Sequence, residues 1–245
     1  MKLNLTAWLL VIAALAAHET CVASARCEDE RESAAHAARK ILDEWPIRER
    51  DFMTDYVDRV ARRLIKQSRL ENGPWRIIVV RNLSSNGFSV GDGYIFVNEG
   101  AMVQAETESQ LAAVLAHEIG HEVLDHFCGS DRNSSLWDWN PFSDDNQPKK
   151  LGKSKKLGSI HKVIDPVKES QADRRALDLL ALAGYDPHAM LQVARRLAKG
   201  NDGPDSLGNY RVVELERILV AIPKRRVSDS EEFLWIRQQL KRSLK

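Results

Sequence analysis

Neither sign of charge predominates in this sequence. Lys and Arg number 36 against 35 Asp and Glu, a net charge of +1. No global field exists to gather nucleic acid or an anionic membrane. The local basic run Lys149, Lys150, Lys153, Lys155 and Lys156 reads as a solvated loop. Long apolar runs are also missing. Leu9 to Ala17 is the uninterrupted part of an N-terminal apolar stretch, too short for a good membrane span. It follows the basic start Met1-Lys2 and precedes Ala23-Ser24-Ala25, so residues 1–25 read as an export signal with a small-x-small cleavage site. The competing reading of the stretch is a retained anchor. Cysteine is scarce, three in all. His18-Glu19-Thr20 before Cys21 are the wrong type for lipidation of that cysteine. Cleavage after Ala25 leaves Cys27 and Cys128, and an oxidising compartment then leads us to expect one disulfide between the N-terminal arm and the end of the motif helix. Internal repeats are absent, so no stacked array is expected.

Strand-like texture is confined to one short region. Trp75 to Val80 is apolar and β-branched, and Phe88–Val90 and Tyr94–Val97 flank Gly91-Asp92-Gly93 as a hairpin. The rest reads as helix. Residues 28–44 are charged and Ala-rich. Residues 47–71 place Phe52, Tyr56, Val57, Val60, Leu64 and Ile65 at helical spacing, stopped by Asn72-Gly73-Pro74. Further helices are expected from Glu106 to about Phe127, over 166–184 and 186–199, at about 210–221, and over 229–243. Residues 129–160, with Trp137 and Trp139, read as a long surface loop. The fold class is therefore α+β, mainly helical. The organisation expected is a signal segment (1–25), an N-terminal helical arm (26–46), a catalytic domain (47–222) and a C-terminal helix (223–245).

Chemistry enters at His117-Glu118-Ile119-Gly120-His121. Residues four apart on a helix share a face. Two imidazoles there can take adjacent corners of a zinc tetrahedron, while Glu118 reaches a metal-bound water as general base. Zinc brings such a water to a pKa of roughly 7, where a carboxylate can take its proton. The motif interrupts an apolar face of Leu111, Val114, Leu115 and Ile119, an expensive place for polar groups without a purpose. A catalytic metal needs a third protein ligand and one open position. The metzincin arrangement fails, because Leu124 and Phe127 stand where Gly and His are required. The thermolysin-type arrangement fails too, because position 141 is Pro141 and its region lacks Glu. The remaining candidate is Glu169 in Glu169-Ser170-Gln171-Ala172-Asp173, with Asp173 one turn later to hold a ligand imidazole in its tautomer. Ala172 is small enough for close helix packing. His126, His161 and His188 are not read as ligands. Extrapolating the helix puts His126 on nearly the opposite side from His117.

These motifs, in this order, resemble metallopeptidase family M48, which includes the HtpX-type proteases, the CAAX prenyl endopeptidases and periplasmic or mitochondrial members. The resemblance covers roughly residues 47–222. It rests on Asn86 to Val97, on Leu111 to Ala116 leading into His117–His121, on His126, on Glu169 to Asp173 and on Ala183-Gly184-Tyr185-Asp186-Pro187. It implies a gluzincin-type fold with a small antiparallel sheet beside the zinc helix. The strand Tyr94–Val97 would then lie along the cleft, open to pairing with an extended peptide. One departure stands out. Members carry a histidine in a Thr-His-Pro element near the C-terminus, and the matching stretch here is Tyr210-Arg211-Val212. Arg211 either stabilises an oxyanion in its place or is a plain surface residue.

The reading that results is a zinc endopeptidase with one Zn2+ per chain, exported to a periplasmic or extracellular space. Its metal ligands are His117, His121 and Glu169; Glu118 and Arg211 are catalytic; Asp173 supports a ligand. Expected substrates are unfolded or loosely folded polypeptides. Nucleic acid is not expected as a partner, peripheral membrane association is compatible with the sequence, and the oligomeric state is open. The alternative is a zinc-bound chaperone or assembly factor with weak proteolysis.

Overall fold

A computed structural model describes residues 31–128, 165–199 and 207–243. The expected signal segment, Cys27, the expected loop with Trp137 and Trp139, and His161 all lie outside those residues. Residues 31–44 are helical (α1) and pack Ala37, Ala38 and Ile41, with Trp45, on Val80, Phe88, Val90 and Phe96. The next helix, α2 (Phe52–Ile65), begins later than its apolar spacing suggests. Asp51 stops it from starting earlier. Its side chain accepts from the backbone N–H groups of Met53 and Thr54, and Thr54 accepts in return from the Asp51 N–H. Such a reciprocal cap satisfies donors that a helix start leaves unpaired. Ile47, just upstream, is extended and bridges Val80. Phe52 therefore sits at the helix mouth, 45% exposed, with its ring edge-on to Trp235.

Three strands form one sheet: β1 (Arg76–Val80), β2 (Gly87–Ser89) and β3 (Tyr94–Asn98), in the order β1-β3-β2. Gly91, Asp92 and Gly93 turn the hairpin with φ of 95°, 50° and 75°, a left-handed run that glycine makes cheap. The sheet is mixed rather than antiparallel. β2 is antiparallel to β3, but β3 runs parallel to β1. The connection over 81–86 sets β2 one strand-width away from β1, and the hairpin returns β3 into the gap. This corrects a second expectation. β3 is flanked on both sides, so it has no edge to offer a peptide; the edge next to the motif helix belongs to β2.

A short helix that the sequence did not announce, α3 (Glu99–Gln104), follows β3 directly. Then come α4 (Glu108–Val123), α5 (Pro166–Ala183), α6 (Ala189–Lys199), α7 (Leu207–Leu219) and α8 (Glu231–Ser243). Thr107 caps α4. Asp165 caps α5, Pro166 occupies its first turn, and Gly184 ends it at φ 82°. Among the described residues, no helix is long and apolar enough to cross a membrane.

The motif helix α4 is the axis of the core. Leu111, Ala112, Leu115 and Ile119 are fully buried, in one cluster with Val57, Ala61 and Leu64 of α2, Ala176, Leu179 and Leu180 of α5, and Phe233 and Ile236 of α8. The N-termini of α4 and α8 cap each other. The Glu108 N–H donates to Asp229 Oδ1 at 2.7 Å, and the Ser230 N–H donates to Glu108 Oε2 at 2.9 Å. Against α5 the approach is closer still. A Cβ on Gly120 would lie 2.9 Å from the Ala172 carbonyl oxygen. Backbone cannot yield as a flexible side chain can. Gly120→Ala is accordingly expected to push α4 from α5 and cost about 1–3 kcal/mol, read as a lower thermal midpoint together with lost metal binding.

Candidate metal centre

α4 and α5 bring two nitrogens and a carboxylate to one point. His117 and His121 are one helical turn apart, and both are buried. Their Nε2 atoms lie 3.2 Å from each other. Glu169, in the first turn of α5, places Oε2 3.2 Å from His117 Nε2 and Oε1 3.3 Å from His121 Nε2. A tetrahedral ion with bonds of about 2.0–2.1 Å has ligand atoms about 3.3 Å apart. The three atoms are thus spaced like three corners of such a site. They also form the one cluster among the described residues able to hold a metal. Two imidazole nitrogens and a carboxylate suit zinc, and a fourth corner is left for water or substrate. The residues present fit the ion that the motif requires.

The other imidazole nitrogens are engaged as well. His117 Nδ1 lies 2.9 Å from Asp173 Oδ1, one turn beyond Glu169 on α5. Since Nε2 faces the cluster, Nδ1 carries the proton and donates it to that carboxylate. Asp173 is itself gripped by Arg211 from α7, whose Nε donates to Oδ2 at 2.8 Å and whose Nη2 donates to Oδ1 at 2.6 Å. Nη1 lies 3.3 Å from Glu169 Oε2. Arg211 is therefore in the site and not on the surface, but its fork is spent on two carboxylates and not aimed at a substrate oxygen. It acts on ligand position.

Glu118 is buried beside β2. Ser89 Oγ donates to its Oε2 at 3.3 Å, and a Cβ on Gly87 would lie 3.4 Å from its Cγ. Its neighbour Glu122 faces the hairpin, accepting from the N–H groups of Gly91 at 3.1 Å and Gly93 at 2.9 Å. His126 departs from the helix extrapolation. α4 ends at Val123, and the chain turns back so that His126 is buried with its Nδ1 2.9 Å from His121 Nδ1. Ser89, Glu122, Gln171 and His126 were not singled out as supports from sequence. Only His126, at a fixed offset from a ligand, carried a usable signal. His188 is remote from the cluster and bonds the Ile222 carbonyl.

The electrostatics follow from burial and pairing. Burial acts most strongly on His117 and lowers its pKa, as does the Arg211 charge; hydrogen bonds that His117 donates to Asp173 and Glu169 outweigh both and raise it to about 9. Burial raises the Asp173 carboxyl, but Arg211 and His117 hold it below its ordinary range. Burial likewise opposes the Arg211 charge, and Asp173 more than restores it, so this guanidinium stays cationic.

The sequence profile of peptidase family M48 matches residues 52–136, which include the His117–His121 motif. Over those residues the chain is similar to peptidase family M48. It is 25% identical over 219 residues to a putative beta-barrel assembly-enhancing protease of Vibrio cholerae serotype O1, covering 79% of this chain and 42% of that protein. It is 41% identical over 73 residues to the mitochondrial metalloendopeptidase OMA1 of Schizosaccharomyces pombe, covering 30% of this chain and 22% of that one. The Arabidopsis thaliana OMA1 is 31% identical over 151 residues, 58% of this chain and 29% of that protein. The chain thus spans less than half the length of these relatives.

Two outcomes follow. In the metal-free protein the raised pKa of His117 means a proton that stabilises the fold at and below about pH 6.5 and is lost as pH rises through about 9. A metal must displace that proton. Apparent zinc affinity is expected to climb about tenfold per pH unit over this window, with about one proton released per ion, measured by titration calorimetry in two buffers. Arg211→Met strips the counter-charge from Asp173 and is expected to cost about 3–5 kcal/mol, as for other broken buried pairs, measured by denaturant unfolding.

Proposed function

We propose that this chain is a zinc-dependent endopeptidase exported to the cell envelope or beyond, with residues 47–222 as its catalytic part. One observation carries the reading: His117, His121 and Glu169 offer three mutually spaced ligand atoms in a buried site, with Glu118 on the same helix as a carboxylate with no ligand role. A zinc ion held there would polarise a substrate carbonyl and acidify a water molecule. Glu118 then accepts the proton of that water on its carboxylate and passes it to the leaving amine nitrogen. Ser89 Oγ–H keeps Oε2 turned toward β2. Asp173 and Arg211 hold the ligand set against recoil.

The substrate is an extended, loosely folded polypeptide. In the β2–β3 ladder the Val90 N–H donates to Tyr94 and Asn86 accepts from Asn98. The alternation of an antiparallel pair then points the N–H and C=O groups of Gly87 and Ser89 away from β3. Both residues border Glu118. A peptide laid along this edge is read through its main chain, with little demand on its side chains. That suits envelope protein quality control, and the name of the Vibrio relative, a beta-barrel assembly-enhancing protease, supports the same direction. Export also favours pairing of Cys27 with Cys128. A second reading, a zinc-bound assembly factor with slow proteolysis, draws on Arg211 alone, since its donors are committed to carboxylates.

Casein digestion by the purified protein separates the two. Glu118→Gln is expected to retain zinc and lose at least about a hundredfold in cleavage rate, and a chelator should abolish cleavage in the unaltered protein. Equal rates in the unaltered protein and Glu118→Gln would defeat the proteolytic reading.

A further inference from the structure

We propose that His126 is a positioning residue: it fixes the orientation and tautomer of His121 through the turn that ends the motif helix. The proposal rests on the zinc site described above and extends it to a residue outside the ligand set.

The turn has a definite form. The His126 N–H donates to the His121 carbonyl at 3.1 Å, and the Asp125 N–H donates to the Glu122 carbonyl at 3.2 Å. Asp125 lies between them at φ 50°, and Leu124 is the last near-helical residue. These are the two nested bonds of a Schellman motif with a left-handed residue at its corner. That motif sets the side chain after the corner beside the side chain five residues earlier, where two apolar groups usually meet. Here the two side chains are His126 and His121. Their rings pack edge to face at 5.0 Å, and their Nδ1 atoms lie 2.9 Å apart.

With a metal on His121 Nε2, the hydrogens of the His121–His126 pair follow. His121 turns Nε2 to the cluster, so its Nδ1 bears hydrogen and donates to His126 Nδ1. His126 must then carry hydrogen on Nε2, which faces Gln171 Oε1 at 3.1 Å. Gln171 stands on α5 two residues past Glu169. Lys168, one residue before Glu169, donates its Nζ to the His126 carbonyl at 2.5 Å. His126 is thus held by its N–H to α4 and by its C=O and Nε2 to α5, on both sides of the carboxylate ligand. Its backbone corner, Asp125 at φ 50°, is a non-glycine residue in the left-handed region, which side chains disfavour. The chain accepts that conformation where it delivers an acceptor to a ligand's back side. Outer partners of this kind commonly shift metal affinity by about 10–100-fold.

The test uses the full chain with zinc itself as probe, competed against a chromogenic chelator, and cobalt(II) as a spectroscopic substitute. His126→Phe keeps the ring and removes the acceptor. It is expected to raise the zinc Kd by about 10–100-fold and to shift the cobalt visible bands. His126→Asn, whose amide oxygen falls near the Nδ1 position, is expected to recover most of the loss. Gln171→Leu alters the far end of the relay without touching α4 and should weaken zinc binding by a smaller factor. Asp125→Gly favours the same corner and should leave zinc affinity unchanged. A zinc Kd in His126→Phe within twofold of the unaltered protein overturns the positioning role, and so does a His126→Asn protein no better than His126→Phe. Either result leaves the peptidase reading standing. Weakened zinc binding in a chain whose unaltered form cuts no peptide has the opposite meaning: the positioning role holds and the peptidase reading falls.

Discussion

Everything at the centre depends on how closely two helices touch. The imidazoles belong to α4 and the carboxylates to α5, and no local rule of helix geometry joins them. Their meeting requires backbone to approach backbone at Gly120 and Ala172. A larger residue at Gly120 would force the two backbones apart. The surrounding apolar residues of α2, α5 and α8 then supply the burial that keeps the two helices pressed together. Glycine inside a helix is normally a loss of about 1 kcal/mol. Here the loss sits one residue before the second ligand, where the approach is needed.

The second constraint is charge. Glu118, Glu169 and Asp173 are all buried in one small volume, an arrangement that repels itself in a low dielectric. Arg211 offsets one of these charges. A divalent ion with neutral imidazoles offsets the other two and leaves the centre balanced. Without the ion, the upward shift of His117 is the protein's partial substitute, a proton held between two acids. The charge set therefore has the composition of a site completed by a dication, and Arg211 is part of that composition.

What could be read in advance follows the range of each interaction. The His pair, Glu118 and the pair Glu169–Asp173 were legible because their geometry is set within one turn of helix. The helix stops at Gly184 and the left-handed hairpin at Gly91–Gly93 were legible because glycine announces them. Sheet order was not, since pairing β3 with β1 is decided across the connection over 81–86, which has no periodicity. The short α3 lacks enough residues to show any. His126 was misplaced because the corner residue is Asp125. A glycine there would have marked the helix end, and extending the helix by four residues instead rotated the imidazole to the wrong side. Arg211 could be located by its place in the family pattern, but its partners lie on another helix, so its duty had to await the fold.

Glu122 has a mechanical meaning beyond its hydrogen bonds. By clamping both glycine amides of the hairpin corner, it makes the strand edge and the helix of imidazoles a single stiff plate.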